Sequence, residues 1–155
     1  MSRHRMASPR LRQSGFTLIE LLVALLVFAL GVVGLLGLQG SAIRFSTDAQ
    51  LRAEATFLAD QLLGQLLISD PATFATVAHH ATGNAKCAPT GAASTNAVVT
   101  AWLSELSNRL PKASENLQQI VVNAATGQVT VKLCWQNGNG TAHELQVSNQ
   151  VQWQP

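Results

Sequence analysis

Gly15-Phe16-Thr17-Leu18-Ile19-Glu20, continued by an apolar run to Leu38, is the stretch on which the reading of this chain turns. Between Phe16 and Leu38 the one charged residue is Glu20; the rest is nearly all Leu, Val, Ala, Phe and Gly. A helix needs about 20 such residues to cross the hydrocarbon core of a bilayer, and about 23 are present. Upstream lie Arg3, Arg5, Arg10 and Arg12 and no acid. A basic flank stays on the cytoplasmic side, so the remainder is expected to be carried across the membrane. An acid inside a spanning segment costs on the order of 2.5–3.5 kcal/mol at its centre, less near an interface, and as a rule it has a partner. Glu20 is therefore the first candidate functional residue.

A basic leader, Gly15-Phe16-Thr17-Leu18-Ile19-Glu20 and then an apolar helix closely resemble the class III signal of type IV pilins and pseudopilins. The resemblance implies that a prepilin peptidase cuts after Gly15 on the cytoplasmic side and methylates the new amino terminus, Phe16. Residues 1–15 are then a leader removed on maturation, and Glu20 becomes the fifth residue of the mature chain. In the family that carboxylate is thought to pair with the terminal amine of a neighbouring subunit. The electrostatics agree: an amine and a carboxylate are each costly in an apolar environment and offset one another when paired, and pairing between subunits would set an axial register. Two plainer readings compete. A secretory signal has an apolar core of about 7–15 residues before a small-residue cleavage site; this run is longer, although Gly40-Ser41-Ala42 is a weak site. A simple membrane anchor accounts for the length and the arginines but not for Glu20 or the Gly15-Phe16 junction.

The formal charge of +2 is dominated by the leader. Without its four arginines, six Lys and Arg face eight acids, leaving the mature chain near −2. The remaining cations, Arg44, Arg52, Lys86, Arg109, Lys112 and Lys132, are scattered, whereas nucleic-acid binding calls for a dense basic face; no nucleic-acid partner is expected. Cys87 and Cys134 fall in the part expected to face the oxidising periplasm, where a disulfide is the natural reading. Metal binding is the poorer alternative, since there is no C-x-x-C and the adjacent His79 and His80 point in different directions.

Gly31, Gly34, Gly37 and Gly40 recur at every third position. That spacing makes a shallow groove where a second helix can approach closely, and it also weakens the helix by about 0.8–1.0 kcal/mol per glycine relative to alanine. The segment is thus either a packing face or a stretch that loosens on leaving lipid; in related filaments the corresponding part of the helix partly unwinds. Glycine is also simply commoner in membrane helices. Beyond Leu38 the pattern turns amphipathic without a break, with Leu51, Ala55, Leu58, Leu62 and Leu66 on one stripe. One helix is expected from Phe16 to Ile68, membrane-spanning over 16–38 and continuing over 39–68 into a head of residues 39–155, with Ser69-Asp70-Pro71 as its stop. Residues 71–96 read as a surface loop with a short turn near Phe74 to Ala78. A second helix follows over 97–110, capped from Ser94-Thr95-Asn96 and ended by Pro111. Over 117–155 the period changes to two, giving strands at Leu117–Asn123, Gln128–Trp135 and Thr141–Ser148, with an Asn-Gly hairpin signal between the last two. Val151 and Trp153 continue the parity of the last. The fold class is α+β: a long N-terminal helix packed on an antiparallel sheet of three or four strands, the architecture of pilins. Because Cys134 has the parity opposite to Val129, Val131, Leu133 and Trp135, a disulfide would strap the 71–96 loop across the outer face of the sheet.

No catalytic or cofactor motif is present, neither G-x-S-x-G, H-E-x-x-H nor a phosphate loop. The expectation is a structural protein that is the substrate of an enzyme. His79, His80 and His143 read as solvated surface groups; Trp102, Trp135 and Trp153 read as core. A finer resemblance is to the PilV-type minor pilins. Gly31-Val32-Val33-Gly34-Leu35-Leu36-Gly37-Leu38-Gln39 and Leu51-Arg52-Ala53-Glu54-Ala55 carry it, followed by Leu58-Ala59-Asp60, Cys87, Trp102-Leu103, Leu110-Pro111 and the strand ending in Trp135. Lys112 stands where that group often has glycine. The resemblance implies a minor pilin that primes assembly of a type IV pilus and sits near its tip. Its partners would be other minor and major pilins, the inner-membrane assembly platform, a tip adhesin and, before assembly, inner-membrane lipid. The alternative is a minor pseudopilin of a type II secretion system; a DNA-capturing pilin is disfavoured by the charge.

Overall fold

The computed structural model describes residues 15–151. The leader arginines and Trp153 lie outside the described residues. The chain divides into two compact units, residues 1–43 and 44–155, and helix α1, Leu18–Leu67, contributes to both. In order there follow a 3-10 segment Pro71–Val77, helix α2 (Ala97–Arg109), a 3-10 turn Glu115–Leu117 and strands β1 (Gln119–Asn123), β2 (Gln128–Gln136) and β3 (Ala142–Gln150). The expected fold class is the observed one.

In the first unit α1 starts where Thr17 caps it: the Thr17 hydroxyl accepts the Glu20 N–H at 3.3 Å, and its carbonyl accepts the Leu21 N–H at 3.2 Å. Thr17 and Glu20 stand in the T-x-x-E spacing of a capping box, a local start signal that the apolar run on its own obscures.

In the second unit α1 turns a dry face to the head. Ala55, Leu58, Ala59, Leu62, Leu63 and Leu66 are buried, at the three- and four-residue spacing that makes a single stripe on a helix. They join Val99, Trp102, Leu103 and Leu106 of α2 and Val129, Val131, Leu133 and Trp135 of β2 in one core. Trp102 adds a fixed contact, its indole N–H donating to the Leu58 carbonyl at 2.8 Å. The start of α2 is set by Asn96, whose side-chain oxygen accepts the Val98 and Val99 N–H groups. Its end comes just before Pro111, which cannot continue a helix.

The sheet is antiparallel in the order β1-β2-β3. Ile120 pairs with Val131, and Leu133 with Leu145. Gly138, at φ +56°, closes the β2–β3 hairpin, and the Asn123 side chain accepts two N–H groups of the β1–β2 turn.

Three expectations need correction. β1 begins at Gln119 and not at Leu117, because the buried Gln118 side chain takes the place of a strand backbone: its amide accepts the Cys134 N–H at 2.8 Å and donates to the Cys134 carbonyl at 3.0 Å. Residues 71–96 hold the expected short turn, as the 3-10 segment Pro71–Val77, but the rest is more ordered than a surface loop. Asp70, read as a stop signal, caps the 3-10 segment through the Ala72 N–H, and Thr82 and Thr90 exchange a pair of backbone hydrogen bonds. Finally, His79 is not solvated. It is fully buried, and its backbone pairs with Ile120 in both directions, at 3.0 and 2.8 Å, beside the open edge of β1.

Candidate functional site

The first unit carries its chemistry on the outside of one helix. Its 18-residue apolar window is wholly unburied within the chain; Leu18 is 83 %, Phe28 69 % and Leu38 69 % exposed. Soluble monomers rarely expose contiguous apolar patches beyond a few hundred Å², so this surface belongs in lipid or against other helices. It is long and apolar enough to cross a membrane. Glu20 lies in its first turn, and a shallow recess of about 260 Å³ is lined by Phe16, Glu20, Leu21 and Ala24. Phe16, just ahead of the helix, and Glu20, in its first turn, both line the recess.

Gly31, Gly34, Gly37 and Gly40 have helical backbone, and a Cβ at any of them would meet nothing within 4 Å. Among the described residues nothing requires glycine there.

In the second unit Cys87 and Cys134 form a disulfide. The apolar members of β2 face the core, so the alternate residue Cys134 lies on the opposite face, where β3 sets Glu144 across from it. The Glu144 carboxylate accepts the Cys87 N–H at 3.1 Å. Cys87, Cys134 and Glu144 present ligand-type atoms within 4.8 Å of one another, but a disulfide has no thiolate to offer, and thiolate is the form that ligates metal. The strap runs across the outer face of the sheet. Gln119 reinforces it, its buried side-chain amide donating to the carbonyls of His80, Thr82 and Gly83 at 2.9–3.0 Å. This clamp has no motif signature, since a glutamine in a strand reads as an ordinary outward residue.

Trp102 and Trp135 are buried in the core, and His143 stacks on Trp135 with ring centroids 5.6 Å apart. On the surface Arg109 pairs with Glu54 and Glu105; the hydrogen bond to Glu54, more than any other influence, raises the guanidinium pKa. Exposed pairs of this kind contribute little to stability.

Residues 10–36 match the family model of the prokaryotic N-terminal methylation motif. That motif indicates a pilin-like chain, a type IV pilin or pseudopilin, and with it processing by a prepilin peptidase and assembly with other pilins. The signal and the apolar helix fit anchoring in the inner membrane followed by residence in a pilus. No curated protein and no solved structure matches the chain.

Proposed function

We propose that this chain is a minor pilin of a type IV pilus, a structural subunit that helps to prime pilus assembly and sits at or near the filament tip, supporting adhesion and twitching motility. The observation that carries the reading is the coincidence of the methylation motif over residues 10–36 with an apolar helix that the chain leaves unburied. Residues 1–15 are removed by cutting after Gly15, and Phe16 becomes the N-methylated terminus. Before assembly, residues 16–38 hold the chain in the inner membrane with the head in the periplasm. During assembly the same surface exchanges lipid for the helices of other minor and major pilins, guided by the inner-membrane platform. Glu20 then neutralises a terminal amine, which removes the cost of either charge standing alone in an apolar setting. The head selects its neighbours and a tip adhesin. The chain has no catalytic role and needs no cofactor, metal or nucleic acid.

The test is intact mass and amino-terminal analysis of the protein from membranes, with and without the prepilin peptidase. A chain beginning at N-methylated Phe16, and dependent on that enzyme, is expected. A start after Ala42, or an uncut Met1, refutes the reading. Recovery of the processed chain with pilus tip fractions, and not with a secretion complex, separates the minor pilin from the pseudopilin of a type II secretion system.

A further inference from the structure

Within the strapped segment one titratable side chain is held in a way that its charged form cannot keep. The His79 ring is fully buried, and both of its nitrogens are engaged by backbone groups far apart in sequence. The Ser94 N–H lies 3.1 Å from Nδ1; an N–H can only donate, so Nδ1 is the unprotonated acceptor. Nε2 lies 3.2 Å from the Glu115 carbonyl, which can only accept, so Nε2 carries the proton. This is the neutral imidazole in one tautomer. A second proton would go onto Nδ1, facing the Ser94 N–H, donor against donor, in a place that water does not reach.

Ser94 is a junction. Its hydroxyl donates to the Thr76 carbonyl at 2.7 Å and accepts the Asn96 N–H at 3.2 Å, and Asn96 caps α2. The imidazole thus joins the far end of the 80–96 segment to the turn before β1. The near end is held separately by the Gln119 amide, and the middle by the disulfide at Cys87.

We propose that His79 is a proton-operated latch on Ser94, at the end of residues 80–96: as the neutral imidazole it ties Ser94 to Glu115, and on protonation in mildly acidic solution it lets Ser94 go while Cys87 and the His80 bonds to Gly91 and Ala92 keep the rest tethered. Burial lowers its pKa from the usual 6.5, and the His80 ring beside it lowers it further; the hydrogen bond and charge of Glu115 oppose this. The centroids of the His79 and His80 rings are 4.2 Å apart. Pro71–Val77, β1 and residues 92–96 contribute no titratable side chain, so among the described residues His80 and Glu115 are the groups that act on the ring. Because the folded value lies below the released one, the latch is at full strength above about pH 6.5. It weakens as pH falls, the released population growing by up to tenfold per pH unit until the folded value is reached. The latch is a property of the head and does not depend on the proposed place in a filament.

Nuclear magnetic resonance of the full chain in detergent micelles, between pH 7.5 and 5, tests this. The His79 ring is expected to titrate below the ordinary histidine range. The opening constant of the Ser94 amide, corrected for the intrinsic exchange rate, should climb towards tenfold per pH unit below 6.5 while amides of β2 stay flat. His79→Gln should abolish that slope, and His80→Gln should leave it in place. If His79→Gln does not fold, the unsubstituted chain still decides. A His79 titrating at or above 6.5, a Ser94 opening constant indifferent to pH, or a slope that disappears with His80→Gln overturns the proposal.

Discussion

Removing the Cys87–Cys134 bond by the double substitution Cys87→Ala/Cys134→Ala tests how the strap stabilises the head. The two cysteines are 47 positions apart in sequence, and the chain-entropy treatment of a loop that long gives about 4 kcal/mol at 25 °C. Cys134 is also buried, so losing its sulfur forfeits apolar burial of about 1 kcal/mol. Residual structure in the unfolded chain works in the opposite direction. The expected loss is therefore about 3–5 kcal/mol, a large share of the 5–15 kcal/mol typical of a domain. The route matters as much as the size. Gln119 and His79 hold the segment without help from sulfur, so the native strap should stay closed and the loss should come from the freed unfolded chain. Urea unfolding of the full chain in micelles, followed by the fluorescence of buried Trp102 and Trp135, should show a lower midpoint and a steeper dependence on urea, since a chain without the cross-link exposes more surface. A loss below about 1 kcal/mol, or an unchanged slope together with fast exchange of the Thr82 and Thr90 amides in the native protein, would refute the reasoning.

Two further outcomes are expected. Gln119→Leu removes the donor shared by three carbonyls; Thr82 and Gly83 are exposed and can turn to water, so the cost is about 1–3 kcal/mol and not three full penalties, read as faster exchange of the Thr82 and Thr90 amides with the disulfide intact. Gly34→Ala meets no atom among the described residues, so circular dichroism should show helix content held or raised, in line with about 0.8–1 kcal/mol of added propensity. Capture of other pilins should weaken if the glycine groove is a packing face, and undiminished capture would show that the groove packs against no neighbour.

Leu51 to Leu66 announced the dry face of α1 because helical spacing reports directly which side must leave water. The alternation through Val129, Val131, Leu133 and Trp135 announced β2 for the same reason, and placed Cys134 on its other face. The long unburied helix and Glu20 were legible too, since an apolar run and a single charge need no partner to be seen. Thr17 as the cap was available in the T-x-x-E spacing but is easily passed over inside a signal that reads as apolar.

His79, Gln118 and Gln119 were not legible in this way. Each is a polar residue whose place depends on backbone groups brought from elsewhere: Ser94 and Glu115 for the first, Cys134 for the second, His80 to Gly83 for the third. Burial of such a side chain is favourable only when its hydrogen-bonding groups are met, and that condition is settled by the meeting of distant segments, not by local pattern. By itself, the sequence determined the helix, the order of the strands, the cysteine parity and the signal from the basic leader to Leu38, because period, charge and spacing are local quantities. Only the tertiary structure decided that an irregular stretch between Pro71 and Asn96 is held shut by a buried amide and an imidazole, because their partners become neighbours only once the chain has folded.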